Sequence, residues 1–489
     1  MHLYKSTKIV ATISDKRCDV PFLEQVIHEG VDVVRMNSAH LDHDGFDKII
    51  GNVKKVSPNV AILMDTKGPE VRTTGIDRPT ILTTGSKLEI IADSSVISTP
   101  ERISVNSSTF VSDVPVGASI LIDDGLIELK VLSKDEARLY CEVMNEGELG
   151  ARKSVNVPGV SINQPALSEK DIDSIHYSIN HEVDFIAHSF VRTKEDVLAI
   201  QKILDENKSD IKIISKIENQ QGVDNIDEII DASYGIMVAR GDLGIEIDLE
   251  KIPAIQQTII HKCILKKKPV IIATQMLHTM IHSPRPTRAE VSDVAGAIFM
   301  HTDAVMLSGE TAYGRYPVES VRTMAEIIHE AEQTKITIGR SKLKPSENDI
   351  EDVTSYLAKQ TVKATDKLGL KAIINDSYSG ATARNLSAYR GTAPIFAVCY
   401  KKEVARQLAL SYGVRPFYLE LEKETKRPKR WFYIKALEYL LEKGLLEKQD
   451  MIAYIGGTLF FELGTTTMDL MRVKDALDFY EEEEGYLSD

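Results

Sequence analysis

Apolar, β-branched runs of about five to eight residues alternate along this chain with segments whose hydrophobic positions recur at helical spacing. The first eight such runs fall at residues 8–13, 31–36, 60–64, 183–188, 211–217, 234–239, 269–273 and 304–307. Runs that are apolar throughout, rather than alternating, suit parallel strands buried on both faces. Helical segments are predicted between most of them, among them 21–29, 45–56 and 168–180. Ser168 with Asp171, and Thr287 with Glu290, have the spacing of capping boxes and fix two helix starts. Eight strand–helix units in succession predict a closed (β/α)8 TIM barrel. Chemistry on such a fold gathers at the C-terminal ends of the strands.

One connection departs from this rhythm. Residues 70–156 alternate apolar and polar positions in several short stretches, with Asp124–Gly125 as a turn signal. A period of two predicts a small β-barrel domain inserted after the third strand, placed over the barrel mouth as a lid. The barrel is therefore expected over 1–69 and 157–336, and a polar stretch at 339–352 reads as a linker. Five further apolar runs, at 370–376, 394–398, 414–419, 450–455 and 468–473, predict an open α/β domain over 350–475. Residues 476–489 read as an acidic, solvated tail.

Composition narrows the function classes. A chain of 489 residues with 43% hydrophobic and 27% charged residues is ordinary globular material for two or three domains. A net charge of −14 argues against nucleic acid or an anionic membrane as partner. Cys18, Cys141, Cys263 and Cys399 are widely spaced, which argues against structural zinc and for a reduced compartment. No signal-peptide layout or membrane-length apolar run is present, so the cytoplasm is the expected location.

The candidate chemistry follows the strand ends. The second run leads into Arg35, Asn37, Ser38 and His40, and the third into Asp65, Thr66, Lys67 and Arg72. The fourth gives Ser189 and Arg192, the fifth Lys216 and Glu218, and the sixth Arg240, Gly241 and Asp242. Thr274 and Gln275 follow the seventh, Ser308 and Glu310 the eighth. Glu218 and Asp242, at the ends of adjacent parallel strands, form a carboxylate pair able to hold one hard divalent cation. Lys216 beside them suits a reaction that builds negative charge on a phosphate or enolate oxygen. Arginines at the same mouth fit a multiply anionic substrate. The structural alternative is that the acids merely cap first turns and Lys216 is an ordinary strand-end charge.

Several long motifs carry a resemblance. DTKGPEVRT (65–73), IKIISKIEN (211–219), GIMVARGDLGIEI (235–247), PVIIATQML (269–277), PRPTRAEVSDVA (284–295) and MLSGETAYGRYP (306–317) closely resemble pyruvate kinases, in order and over nearly the whole chain. The resemblance takes in DDGLI (123–127) and VNVPG (155–159) at the inserted domain. It implies phosphoryl transfer from phosphoenolpyruvate to ADP, giving pyruvate and ATP, with Mg2+ (or Mn2+) and K+. On it, Glu218 and Asp242 match the divalent-metal ligands, and Lys216 the lysine that stabilises the phosphoryl group in flight and the enolate. Arg35 matches an arginine on the transferred phosphate. Thr274 and the Gly241 amide match groups near the substrate carboxylate, Thr274 also lying near the carbon to be protonated. Arg72, His40 and Lys153 fall on the nucleotide side. Phosphoryl transfer needs positioning and charge neutralisation rather than a nucleophilic side chain, which agrees with this set. The resemblance further implies a homotetramer, with 284–290 near a subunit contact.

The chain departs from the family pattern at three places. A monovalent-cation site is matched by Asn37, Asp65 and Thr66, but Ala39 stands where a serine ligand is expected. Ser38 replaces it only if the loop backbone shifts. Glu70 is the acid the resemblance associates with potassium dependence, so K+ activation is expected, weakened. Ser14-Asp15-Lys16-Arg17 replaces the usual turn beside the nucleotide base and leaves the nucleotide preference open. In the C-terminal domain, SYSGATAR (377–384) enters a helix, and Ser377, Ser379, Gly380 and Thr382 are candidates for a phosphate on an effector. The alternative there is a capped turn. The loop 456–464 lacks basic residues, which points to a sugar monophosphate or nucleotide effector, or none. Two rival readings are a barrel lyase or aldolase acting on enolpyruvate without ADP, and a non-catalytic homologue. The first would need no lid lysine, and the second is expected to lose a metal ligand or Lys216.

Overall fold

The apolar runs become strands Lys8–Thr12, Val33–Asn37, Ala61–Asp65, Phe185–His188, Lys212–Ile217, Gly235–Ala239, Val270–Ala273 and Ala304–Leu307. In this computed structural model, which describes residues 5–338, 352–420, 429–457 and 464–479, each strand pairs in parallel with the next. The eighth returns to the first, Lys8 opposite Ala304, and closes the barrel. Several runs overshoot at their N-terminal ends: Val31, Val183 and Ile211 are buried but lie outside the ladder, in loops packed under the barrel. Hydrophobicity reports burial there, not pairing. Both capping boxes form, with Ser168 Oγ accepting from Asp171 N and Thr287 Oγ1 from Glu290 N, each at 3.2 Å. Between the fifth and sixth strands the helical segment is split at Asn225 into Gln220–Asp224 and Ile226–Ala232.

The barrel interior is filled by Val10, Val33, Leu63, Phe185, Ile214, Met237, Ile271 and Met306, with Ala409 and Leu410 of the C-terminal domain in the same cluster. The second domain thus contributes side chains to the barrel's own core.

The insertion was expected as a small β-barrel. Its ladders, among the described residues, stay open: a six-stranded sheet and a two-stranded ribbon, Thr80–Leu82 with Gly147–Leu149. Both sheets share one apolar core that includes Leu82, Ile103, Phe110, Leu129 and Leu149. The C-terminal sheet runs Val414–Tyr418, Ile395–Cys399, Ala372–Ser377, Met451–Gly456, Thr467–Arg472, with only the last strand antiparallel. Its strand order reverses between Ala372–Ser377 and Met451–Gly456, the place where open α/β sheets take ligands. Residues 473–479 are helical and bury Val473 and Ala476, so the start of the stretch expected as a tail belongs to the fold. Residues 480–489, the linker at 339–351 and the 458–463 part of the 456–464 loop lie outside the described residues. Among the described residues no helix is long and apolar enough to cross a membrane.

Buried polar groups tie the C-terminal domain to the barrel's N-terminal face. Arg390 places two nitrogens on Asp303, at 2.9 and 2.6 Å, and both side chains are 4% exposed. Asp303 also accepts from the backbone of Tyr412 at 3.0 Å. Arg406 Nε donates to Asp184 at 2.7 Å, and Lys8 Nζ to the Val414 carbonyl at 2.6 Å. Burial pushes the Asp184 carboxyl up to about 6 against the pull of Arg406, and lowers Lys8 to about 8.

Removing one partner of a buried ion pair leaves the other charge uncompensated. Arg390→Leu is expected to cost about 3–5 kcal/mol of stability in chemical denaturation. A loss under about 1 kcal/mol, the scale of an exposed pair, would show that Arg390 does not hold the domains together.

Candidate active site

Strands two, three and five deliver the centre of the barrel mouth. Asp65 ends strand three, is 1% exposed, and sits opposite Asn37 in the ladder. Arg35, from strand two, donates from Nε to Asp65 Oδ2 at 2.6 Å, and its Nη2 pairs with the same oxygen. Arg35 Nη1 also donates to Thr12 Oγ1 at 2.9 Å. Lys216, from strand five, places Nζ 3.3 Å from Asp65 Oδ1 and donates to Ser189 Oγ at 2.8 Å. Ser189 Oγ in turn donates to the Thr66 carbonyl at 2.7 Å. Gly68, at φ 74°, lets the loop after strand three pass so close that a Cβ there would lie 2.8 Å from the Ser189 Cβ.

The electrostatics follow from this geometry. Burial alone would drive the Asp65 carboxyl up, but Arg35 and Lys216 outweigh it and hold it below the usual carboxylate range. Burial likewise pushes Lys216 down, and Asp65 with Glu218 more than reverses that. Lys216 is a fixed positive charge in a nearly dry place.

Glu218 has the opposite balance. Lys216 Nζ pairs with the buried Glu218 Oε1 at 2.9 Å, and Oε2 accepts from Phe190 N at 2.6 Å. Burial pushes the Glu218 carboxyl up, Lys216 pulls against it, and the charge of Asp242 adds to the rise. Lys216 is shared between Glu218 and Asp65. A buried carboxylate that burial and Asp242 hold above its ordinary range, even with Lys216 beside it, marks a place short of positive charge. Among the described residues no cluster of three or more His, Cys, Asp or Glu is arranged for a metal. Glu218 and Asp242, whose charge raises the Glu218 carboxyl, are oxygen donors of the type that suits a hard divalent cation.

Across the mouth, Thr274 and Gln275 both adopt left-handed backbone, φ 67° and 55°. Such conformations cost energy in residues with side chains and persist only when their surroundings enforce them. Arg240 does so: Nη2 donates to the Thr274 carbonyl at 2.8 Å while Nη1 is anchored on Asp293 at 2.7 Å. Thr274 Oγ1 accepts from Gly241 N at 2.7 Å and donates to the Ala273 carbonyl at 2.6 Å. Glu310 ties the last two loops, accepting from Leu277 N at 3.2 Å and Ser308 N at 2.8 Å.

The remaining candidates lie apart from this centre or are otherwise engaged. Arg72 pairs with Glu70 at 2.7 Å and donates to the Arg152 carbonyl at 2.7 Å. Lys153 pairs with Asp123 at 2.7 Å inside the insertion, and His40 is exposed. Asn37 Oδ1 accepts from Ala39 N at 3.0 Å, whereas the fully buried Ser38 Oγ has no partner. In the C-terminal domain Gly380 N donates to Ser377 Oγ at 3.0 Å, and the Thr382 and Thr465 hydroxyls are 2.5 Å apart. Ser379 offers its carbonyl to Arg384 at 3.2 Å. In the sequence Ser189 stands out only as a residue after strand four. Its place between Lys216 and the Thr66 carbonyl had no local signal.

A carboxyl held above its unfolded value contributes stability at low pH that is lost as pH rises through its folded value. Glu218→Gln is therefore expected to raise the melting temperature at pH 7–8 in chelator, with the difference vanishing near pH 4, below the ordinary carboxylate pKa of about 4.3. Wild type that melts no lower than the variant at pH 8 would contradict the strain assigned to Glu218.

Comparison with known proteins places this geometry. Residues 4–321 match the model of the pyruvate kinase barrel domain, and residues 356–474 that of the pyruvate kinase alpha/beta domain. A pyruvate kinase from Borreliella burgdorferi is 46% identical over 97% of this chain and 98% of its own length. One from Bacillus licheniformis is 44% identical over 96% of this chain and 80% of its own. The crystal structure of a pyruvate kinase from Cryptosporidium parvum superposes with a TM-score of 0.88 at 36% identity, covering 96% of each chain.

Proposed function

The chain belongs to the pyruvate kinase family, and on that premise we propose that it transfers the phosphoryl group of phosphoenolpyruvate to ADP, giving pyruvate and ATP. The observation that carries this reading is the convergence of Arg35 and Lys216 on Asp65, with Lys216 also paired to the buried Glu218. Two fixed cations next to a cation-seeking carboxylate suit a phosphoryl group that spreads negative charge as it moves. Arg35 orients the transferring phosphate. Lys216 stands where charge develops, first on the phosphoryl oxygens and then on the enolate. Held by Glu218 and Asp242, Mg2+ or Mn2+ would supply further neutralisation of those same oxygens. The Gly241 amide and Thr274 hydroxyl, paired with each other at 2.7 Å, are the groups we assign to the substrate carboxylate. Thr274 would also pass a proton, through water, to the enolate carbon. The insertion acts as a lid that brings Lys153 and Arg72 to the ADP phosphates, with His40 at the nucleotide side, and excludes water that would hydrolyse the phosphoryl donor.

For K+, Asn37, Asp65 and Thr66 are the assigned ligands, and the unpartnered Ser38 hydroxyl supports its taking the place left by Ala39. Four free, buried cysteines support a reducing, cytoplasmic setting. The homotetramer rests on the family alone. Pyruvate formation from phosphoenolpyruvate, ADP and Mg2+ is expected to be faster in K+ than in Na+ at equal ionic strength. Ser38→Ala should narrow that ratio. Absence of ADP-dependent turnover in either salt would overturn the kinase reading, and turnover indifferent to the cation would remove the monovalent site.

The turn bearing Ser377, Ser379, Gly380 and Thr382 lies at the strand-order reversal of the C-terminal sheet, which supports a phosphorylated effector there. Activation of wild type by a sugar monophosphate or nucleoside monophosphate, lost in Thr382→Ala, is the expected outcome. Equal activation of both proteins would sink the assignment.

A further inference from the structure

The insertion joins the barrel through a neck of two chain segments. Thr73 N donates to the Lys153 carbonyl at 2.8 Å, and Val155 N to the Val71 carbonyl at 2.9 Å, so the outgoing and returning segments run as one unit. A cleft of about 230 Å³ lies between this neck and the barrel loops, lined by Val71, Asn156, Ser161, Gln221 and Glu246 among others. Asn156, at the barrel end of the neck, reaches across it: its Nδ2 donates to Glu246 Oε1 at 3.0 Å.

Glu246 is the last residue of the seven-residue helix Arg240–Glu246. Asp242 stands four positions earlier in that helix, on the same face and one turn away. One short helix therefore carries Asp242, the candidate metal ligand, near its start and the neck's anchor at its end. Lys153 sits just upstream of Asn156 in the neck. We propose that the Asn156–Glu246 bridge is a latch: two positioning residues that set the angle of the insertion over the barrel mouth. The proposal rests on the reading of the insertion as a lid that carries Lys153 to ADP.

The bridge is suited to this role because it is half-buried and its acceptor is an acid. A hydrogen bond to a carboxylate is stronger than one between neutral groups, and an acceptor left unpaired in the cleft is penalised. A second bridge across the cleft, Ser161 Oγ to Gln221 Oε1 at 3.0 Å, is neutral and exposed, and lies beyond the neck. It serves as the control.

The test compares Glu246→Ala, Asn156→Ala, the double variant, Glu246→Gln and Ser161→Ala. The first readout is amide hydrogen exchange of neck residues 152–157 in the free, full-length protein. The second is steady-state kinetics with KM for ADP separated from kcat and from phosphoenolpyruvate affinity. Each Ala variant at the latch is expected to speed neck exchange and raise KM for ADP about three- to tenfold, the scale of one hydrogen bond. Affinity for phosphoenolpyruvate without ADP should stay within about twofold, and the double variant should be no worse than either single one. Glu246→Gln, which keeps an acceptor oxygen but not its charge, should restore both readouts in part, and Ser161→Ala should change neither. Unchanged neck exchange, additive effects in the double variant, or Glu246→Gln as impaired as Glu246→Ala would each overturn the latch. Exchange is read without substrate. A wild type lacking ADP-dependent turnover would thus refute the lid-kinase reading while the exchange data still decide the latch.

Discussion

Everything at the barrel mouth depends on one buried carboxylate. Asp65 is almost fully enclosed, so its charge survives only because Arg35 and Lys216 reach it from the strand beside it and from the next but one on its other side. The dependence is mutual. Arg35 and Lys216 are themselves held within a nearly dry pocket, and a buried cation without a carboxylate would lose its proton or its place. The result is a pair of positive charges at fixed positions, oriented before any substrate arrives. Such preorganisation is what gives electrostatic stabilisation its size, because no solvent has to reorganise during the reaction. The same arrangement leaves Glu218 short of compensation. The site thus over-supplies Asp65 with positive charge and under-supplies Glu218.

The other side of the mouth is stabilised by backbone rather than charge. Left-handed conformations at Thr274 and Gln275 are local costs, offset by Arg240, which spans from the Thr274 carbonyl to Asp293. The Gly241–Thr274 hydrogen bond then sets the loop after strand seven against the short helix after strand six. That helix also holds the neck through Glu246. Asp242 and the insertion's anchor thus share one short helix, which the Gly241 amide ties to the left-handed Thr274. At the opposite end of the barrel, Leu410 fills the interior and Arg390 clamps Asp303. The C-terminal domain is a structural part of the barrel rather than an appendage.

The barrel was legible in the sequence because its signal is local. A strand buried on both faces must be apolar at every position, and eight such runs separated by helical periods leave few alternatives. Capping boxes at Ser168 and Thr287 were legible for the same reason, since both partners lie within one turn. Strand ends, too, could be read off, which is how Lys216, Glu218 and Asp242 came together as candidates. The insertion was readable as β structure but not as open or closed, because closure depends on pairing between strands far apart in sequence. Helix 473–479 was hidden by the acidic residues that follow it.

What the sequence determined by itself was the order of elements and the chemical types arriving at one end of the barrel. What only the tertiary structure decided was who partners whom. Nothing local distinguishes Ser189 as the acceptor for Lys216, Asp65 as the shared counter-ion of two cations, or Asn156 as the tether to Glu246. These pairs are separated by 27, 30 and 90 positions in the chain. Their meeting is fixed by barrel closure and by the path of the neck. Electrostatic balance is a property of distance and burial, and neither exists until the chain has folded.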